Sequence, residues 1–463
     1  MADTATRVRS LGLGMATALV VGNMVGSGDY LLPSSLAKYG ALAIVGWVVT
    51  AVGAVLLALV FANLGRMYPR TGGPYTFSRL AFGEFIGFQT AWGYWIATWT
   101  SNAALAIGFV SYLDDFWTSL ASNKLLAALV AIAAIWVLTW VNAVGVRQGG
   151  VVQLFTTIIK LIPLLFIAFV GLAFINPSHF TPVNPSGESG FDAVTDAATL
   201  TLFAFVGLES ATVAADDVKN PERTIPRATV IGTLLAAAVF VLGQIAVLGV
   251  IPASELAKST APFADAAKVM FGSWAGTLVA VSAVIGTFGA LNGWILLQGQ
   301  VPLAAARDGL FPRIFGRTSR SGAPVLGLVI SSALMTVLIL MNYTASLVDQ
   351  FTQIILLATL SILIPYTYTA AAQLMLMVTD RARFSARRLA RDGAIALLAF
   401  SYTLWAITGA GADIVLKGFL LLLAGIPVYV WIRRRNAPGP APAPLAEAEP
   451  EPIPSSPVPV AGG

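Results

Sequence analysis

The sequence has no cysteine, one histidine and few charged residues. Without cysteine, disulfides, thiolate metal sites and cysteine nucleophiles are excluded. His179 lies in a predicted loop, so we expect neither a histidine-based metal site nor a catalytic triad. Charged residues make up 11% of the 463 residues, whereas soluble domains carry roughly 25%. The chain therefore has too little charge to cover a water-facing surface.

Apolar residues, which make up 57% of the chain, are arranged in long runs. Runs near the roughly 20 residues that span a bilayer recur from residue 11 to residue 432. They predict an all-α polytopic membrane protein with about twelve transmembrane helices. The predicted spans are 11–37, 42–65, 85–113, 123–144, 150–175, 193–215, 228–250, 271–304, 324–342, 348–376, 391–411 and 412–433. The Pro/Ala/Glu-rich segment 437–463 predicts a disordered tail.

The positive charges predict the orientation of these spans. Of the 27 Lys and Arg residues, 21 fall on the side of the N-terminus. Five fall on the opposite side, and Lys160 lies inside a span. This bias predicts that both termini, 1–10 and 437–463, are cytoplasmic. The net charge of +5 is thus explained by topology, and we predict no nucleic-acid partner.

Two predicted spans carry polar and glycine residues where a lipid-spanning helix favours apolar ones. They are "VGNMVGSGDY" (21–30) and "FVGLES" (205–210). They occupy matching places if residues 11–175 and 193–376 are inverted repeats. A helix interrupted at mid-membrane exposes N–H groups, which favour a carboxylate, and carbonyls, which favour an ammonium. The pattern predicts a site for an amino acid. The alternative is that the small residues only allow neighbouring helices to pack closely.

Five motifs resemble the amino acid/polyamine/organocation (APC) superfamily, and within it the basic amino acid/polyamine antiporters, the arginine/agmatine antiporters above all. The motifs are "GNMVGSGDYLLP", "PRTGGPYTFSRLAFGEFIGFQ", "FAFVGLESATVAADDVKNPERTIPRA", "LNGWILLQGQ" and "AARDGLFPRIF". The resemblance runs from about residue 10 to residue 435. It implies a LeuT-like 5+5 inverted repeat with helices 1 and 6 broken, and helices 11 and 12 within 391–433. It also implies a homodimer in the bacterial inner membrane that exchanges substrates by alternating access, without a cofactor.

The resemblance also implies roles for individual residues. The broken first helix would hold the substrate carboxylate, Asn102 would hydrogen-bond the substrate, and Trp294 would stack on its guanidinium or aliphatic stem. The implied substrate-binding residues are Asn23, Gly26, Ser27, Gly28, Asn102, Leu105, Phe203, Val206, Trp294 and Ala358. The residues implied in gating and pH response are Glu209, Tyr75, Tyr94 and Tyr366.

Four positions depart from the arginine/agmatine pattern. Phe203 replaces a gating tryptophan, Leu105 a methionine and Ala358 a serine, so the pocket is less polar than a guanidinium would favour. The fourth is Lys160, inside the fifth predicted span, where an ammonium is costly and functional by default. We hypothesise that it replaces a sodium ion by donating to a carbonyl near Gly26; the alternative is that it snorkels to an interface.

These observations favour a sodium-independent exchanger of cationic amino acids or amines. The alternative is a proton-coupled or exchange transporter of neutral amino acids. A membrane-embedded enzyme is a remote alternative, because the chain lacks cysteine and has one histidine.

Overall fold

The computed structural model describes residues 11–144, 150–320, 322–383 and 386–436. The predicted N-terminal segment 1–10 and tail 437–463 lie outside these residues. The described chain consists of helices, turns and loops, with one isolated parallel β-bridge between Leu11 and Val218. The predicted all-α class is confirmed.

In the described chain up to residue 174, helices of very different length are joined by tight turns. They are α1 (Leu13–Met24), α2 (Ser27–Leu36), α3 (Leu42–Met67), α4 (Pro74–Phe82), α5 (Glu84–Leu113), α6 (Ser119–Ser122), α7 (Lys124–Val144) and α8 (Gly150–Val170). Single 3-10 turns follow α2 and α8 at Ala37–Tyr39 and Gly171–Phe174.

The second part of the described chain begins with a loop and a 3-10 turn at Pro177–Phe180. Ser189 and Ser346 cap helices by accepting from the backbone N–H groups of Asp192 and Asp349, both at 3.1 Å. The helices are α9 (Gly190–Leu202), α10 (Ser210–Val213), α11 (Pro221–Val250), α12 (Ala253–Leu256), α13 (Pro262–Phe271), α14 (Ser273–Arg307), α15 (Val325–Asn342), α16 (Leu347–Thr379), α17 (Ala386–Thr408), α18 (Ala412–Leu423) and α19 (Gly425–Asn436).

Many of these helices are suited to a membrane. Within the described residues, nine helical segments are long and apolar enough to cross a bilayer. Two shorter apolar helices, Leu13–Met24 and Ile158–Phe174, fall in the predicted spans 11–37 and 150–175. The chain is therefore a multi-pass membrane protein, while the total of twelve spans stays a prediction.

Helix α5 lies at the centre of the packing. It contacts α4, α14 and α16, and nearly all of its side chains are buried. By contrast, α7 and α15 present large apolar side chains outward, including Trp140 and Met341. Side chains that line an internal cavity are thus expected on α5 and on the helices around it.

Candidate functional site

The helical backbone is interrupted at two places beside α5. Helix α1 ends at Met24, Val25 is extended with φ −75° and ψ 102°, and α2 begins at Ser27. Helix α9 ends at Leu202 and continues as the 3-10 turn Phe203–Phe205, after which Val206 is extended. Backbone groups at such ends fall outside the helical hydrogen-bond ladder and are available to other partners.

The two interruptions contact each other. Gly207 has φ +111°, and a Cβ atom there would lie 3.0 Å from Cβ of Asn23 and 3.2 Å from its carbonyl oxygen. Only glycine fits this approach and this backbone conformation without strain. The Asn23 side-chain amide also donates to Oγ of Ser210 at 2.8 Å. Each interruption is thus held in place by the other.

A small cavity of about 30 Å³ lies where the interruptions meet α5 and α14. That volume accommodates water but not an amino acid side chain, so a ligand of that size requires surrounding side chains to move. The lining residues are Asn23, Met24, Gly26, Ser101, Leu105, Phe203, Val206 and Trp294.

Six of the predicted substrate-binding residues therefore surround one cavity. Asn102 and Ala358 are fully buried in α5 and α16 and are not part of this lining. Ser27 and Gly28 form the first turn of α2; the side chain of Ser27 lies outside the described part of the structure. The predicted residues thus divide into those at the cavity and those in the helices behind it.

Ser101 lines the cavity, and sequence reasoning missed it. Its Oγ is buried and, among the described residues, has no hydrogen-bond partner. Two neighbouring threonines on α5 behave differently, since Thr98 donates to the Tyr94 carbonyl at 2.7 Å and Thr100 to the Ile96 carbonyl at 2.8 Å. A serine next to Asn102 carries no distinguishing sequence pattern, and only the packing of α5 shows where its hydroxyl points.

Lys160 connects α8 to both sides of the first interruption. Its side chain is 1% exposed, and Nζ donates to the Gly22 carbonyl in α1 at 2.6 Å. Its own backbone carbonyl accepts from the Tyr30 hydroxyl in α2 at 2.5 Å. The carbonyl of Gly22 lies one helical turn before Gly26, the region where the sequence hypothesis placed the acceptor. Carbonyl oxygens are typical partners of an ammonium inside a membrane.

Glu209 lies directly after the second interruption and is fully buried. Its carboxylate accepts from the Tyr94 hydroxyl at 2.7 Å, the Tyr366 hydroxyl at 2.5 Å and the Gly207 backbone N–H at 3.2 Å. The hydroxyl of Ser210, the next residue in the chain, donates to the Gly207 carbonyl at 2.6 Å. Three of the four residues predicted to act in gating thus form one cluster that joins α5, α16 and the chain before α10.

Tyr75, the fourth of these residues, lies outside the cluster, on the short helix α4. Its hydroxyl donates to Oδ2 of Asp308 at 2.9 Å. Burial raises the pKa of Tyr75, and the adjacent Asp308 carboxylate raises this pKa further. The phenol is therefore protonated throughout the physiological range, so ionisation of Tyr75 itself does not supply a pH response near neutrality.

The described residues contain no group of three His, Cys, Asp or Glu side chains placed to hold a metal ion. None of the eight cavity-lining residues has a charged side chain. The lining therefore offers backbone groups, hydroxyl and amide oxygens, and aromatic faces.

Comparison with known proteins places this geometry in a family. The family model for amino acid permeases matches residues 11–432. The chain is 33% identical to the putrescine transporter PotE of Haemophilus influenzae, over 91% of this chain and 97% of the relative. It is 37% identical to the cadaverine/lysine antiporter of Escherichia coli, over 78% and 82%. It is 32% identical to a putative arginine/ornithine antiporter of Bacillus subtilis, over 93% and 98%.

The family match covers the described helices from α1 to α18 and the first part of α19, including both interruptions and the residues that line the cavity. The relatives named above are antiporters and a transporter of amines and basic amino acids. The resemblance seen in the sequence motifs is thereby confirmed: the chain belongs to the amino acid permease family of the APC superfamily.

Proposed function

We propose that this protein is a secondary active transporter that exchanges a cationic amino acid for a cationic amine by alternating access, independently of sodium. The observation that carries the proposal is the uncharged cavity where two helix interruptions meet, lined by Asn23, Ser101 and Trp294. The names of the relatives, which include putrescine, cadaverine/lysine and arginine/ornithine, support a cationic substrate.

The finer architecture belongs to the same proposal. Residues 11–175 and 193–376 would be inverted repeats, with α1 and α2 forming broken helix 1 and α9 and α10 forming broken helix 6. Residues 391–433 would add helices 11 and 12. Both termini would be cytoplasmic, and the protein would be a homodimer in a bacterial inner membrane.

Lysine and cadaverine differ by a carboxylate but share an ammonium at one end. A site for both must therefore recognise the shared cationic end, with the backbone at Gly26–Gly28 adding affinity for the carboxylate of the amino acid. Trp294 would bind the cation or its stem through its ring face, a contact worth about 2 kcal/mol when desolvated. Phe203 would cover the site. Its ring packs edge-on against the ring of Phe351, with the two ring centroids 6.1 Å apart.

A neutral amino acid as substrate is the second candidate. Leu105, Phe203 and Ala358 favour it, because they supply no hydrogen-bonding side-chain atoms for a cationic end. An enzyme activity has no comparable support, since cysteine is absent from the sequence.

Exchange in proteoliposomes tests the proposal. Vesicles loaded with cadaverine, putrescine, lysine, arginine, ornithine or leucine would receive labelled lysine, arginine or leucine. We expect rapid uptake only with a cationic compound inside, and the same rate in sodium and potassium buffers. Equal uptake into empty vesicles driven by a proton gradient would indicate a symporter, and uptake restricted to leucine would indicate the neutral alternative.

The Ser101 hydroxyl, which has no hydrogen-bond partner among the described residues, gives a prediction for this assay. Ser101→Ala should raise the apparent KM for lysine about fivefold, the effect of losing one neutral hydrogen bond to a ligand. Thr100→Val is the matched control, because the Thr100 hydroxyl is already satisfied by the Ile96 carbonyl. Equal KM values for the two variants would show that Ser101 does not contact the ligand.

A further inference from the structure

Four buried side chains form a chain of hydrogen bonds behind the cavity. The amide nitrogen of Asn102 in α5 donates to Oε1 of Gln298 in α14 at 2.7 Å. The amide nitrogen of Gln298 donates to Oγ of Ser332 in α15 at 3.0 Å. Oγ of Ser332 lies 2.6 Å from Oγ1 of Thr139 in α7. We call this chain the amide relay.

The direction of the amide relay is fixed at its far end. Thr139 donates its hydroxyl proton to the Ile135 carbonyl at 2.7 Å. A hydroxyl has only one proton to donate, so Ser332 must be the donor to Thr139. The Ser332 oxygen then accepts from Gln298. Consequently the NH₂ group of Gln298 faces Ser332, and its carbonyl oxygen faces Asn102.

This direction determines what Asn102 can offer a ligand. Because its NH₂ group faces Gln298, Oδ1 is the one side-chain acceptor that Asn102 can offer. Oδ1 is buried and accepts no hydrogen bond within the described chain. An unsatisfied buried acceptor costs about 1–3 kcal/mol, and such a group in a native structure calls for an explanation.

The position of Asn102 explains why Oδ1 is left without a donor. On α5 it lies between Ser101 and Leu105, which both line the cavity. On α14, Gln298 lies one helical turn after Trp294, another lining residue. The amide relay therefore reaches the cavity wall from two helices.

The geometry points to Gln298 as a positioning residue that fixes Asn102 as a hydrogen-bond acceptor for the ammonium or guanidinium end of the substrate. This assignment rests on the proposed exchange of cationic substrates and specifies how the cationic end is selected. With its orientation fixed, Asn102 presents an acceptor, which suits a cation, whereas its NH₂ group, which would suit a carboxylate, is held at Gln298. A reversed amide would present its NH₂ group to the cation, which is unfavourable.

The test compares Gln298→Met with Gln298→Glu in exchange assays with lysine and cadaverine. Gln298→Met removes the acceptor that orients Asn102, so we expect KM for both substrates to rise about tenfold with kcat nearly unchanged. In Gln298→Glu the carboxylate can only accept from Asn102, so the orientation persists and KM should not rise. The matched control is Gln373→Met, since Gln373 is also buried and donates to the Asp392 carbonyl at 2.8 Å; its KM should not change.

An unchanged KM in Gln298→Met, or an equal rise in both Gln298 variants, would overturn the positioning role. If Gln298→Met does not fold, Ser332→Ala provides the second variant, because it removes the acceptor that directs Gln298. We expect it to raise KM in the same direction, and an unchanged KM would again overturn the assignment. Wild-type protein that exchanges no cationic substrate would contradict the proposed function itself, which separates the two failures.

Discussion

Replacing Lys160 with methionine is expected to reduce the exchange rate at least about tenfold, because a hydrogen bond to a charged group contributes about 1.5–3 kcal/mol. Methionine retains an unbranched apolar stem but removes the ammonium that donates to the Gly22 carbonyl. The rate is measured as labelled lysine uptake into cadaverine-loaded proteoliposomes. Melting of the purified protein, recorded in parallel, separates lost activity from lost folding.

Lys160 should have this effect because of its connections on both sides of the first interruption. Nζ contacts α1 at Gly22, while its backbone carbonyl accepts from Tyr30 in α2. Removing the ammonium breaks the contact to α1 but leaves the contact to α2, so Lys160 no longer connects the two helices. The close approach of Gly286, where a Cβ atom would lie 2.6 Å from that of Lys160, holds the stem in place.

Lys417→Met is the matched control for this variant. Lys417 is exposed and pairs with Asp413 at 2.5 Å, and surface pairs contribute little to stability. We expect its exchange rate to match the wild type. If both lysine variants exchange at the wild-type rate, the role of Lys160 is contradicted. If the wild-type protein itself requires sodium for exchange, the function of Lys160 as a replacement for the ion is contradicted.

The second large effect is expected at Glu209. Glu209→Leu would leave the hydroxyls of Tyr94 and Tyr366 buried without their acceptor, which we expect to lower the free energy of unfolding by about 2–4 kcal/mol. Glu209→Gln keeps an acceptor oxygen of nearly the same shape and should therefore remain folded. The stability of the three proteins is compared by thermal melting in one detergent.

Glu209→Gln also isolates the role of ionisation. The amide cannot ionise, so if protonation of Glu209 controls the gate, the dependence of the exchange rate on pH should flatten in this variant. Asp380→Asn is the control, because Asp380 likewise accepts from a tyrosine, Tyr68, at 2.8 Å, but away from the cavity. A pH profile of Glu209→Gln that overlays the wild type would exclude Glu209 as the pH-responsive group.

Much of this arrangement could be predicted from the sequence, because its signals are local. Glycine and polar residues at 21–30 and 205–210 indicated where the backbone departs from a helix, and α1 ends at Met24 while α9 ends at Leu202. Motif resemblance identified Leu105, Phe203 and Trp294, which line one cavity. Composition indicated the all-α membrane class.

What the sequence did not indicate depends on which helices are neighbours. The pairing of Asn102 with Gln298 joins residues nearly two hundred positions apart, and neither residue has a distinctive local pattern. The resemblance grouped Glu209 with Tyr94 and Tyr366, but it did not indicate that their hydroxyls, on α5 and α16, donate to the Glu209 carboxylate. Hydroxyls from distant helices bind the Glu209 carboxylate because helix packing brings them to it, which no local pattern indicates.

The β-bridge at Leu11 has a mechanical consequence. The Leu11 N–H donates to the Asp217 carbonyl at 2.9 Å, and its carbonyl accepts from the Lys219 N–H at 2.8 Å. Leu11 leads into α1, and Asp217 follows α10. The bridge therefore joins the start of the first interrupted segment to the end of the second, at the ends remote from the cavity. A displacement of the start of α1 would therefore be transmitted to the chain that follows α10. Because both hydrogen bonds of the bridge join backbone atoms, Lys219→Pro would remove one of them, while most other substitutions of Lys219 would leave both in place.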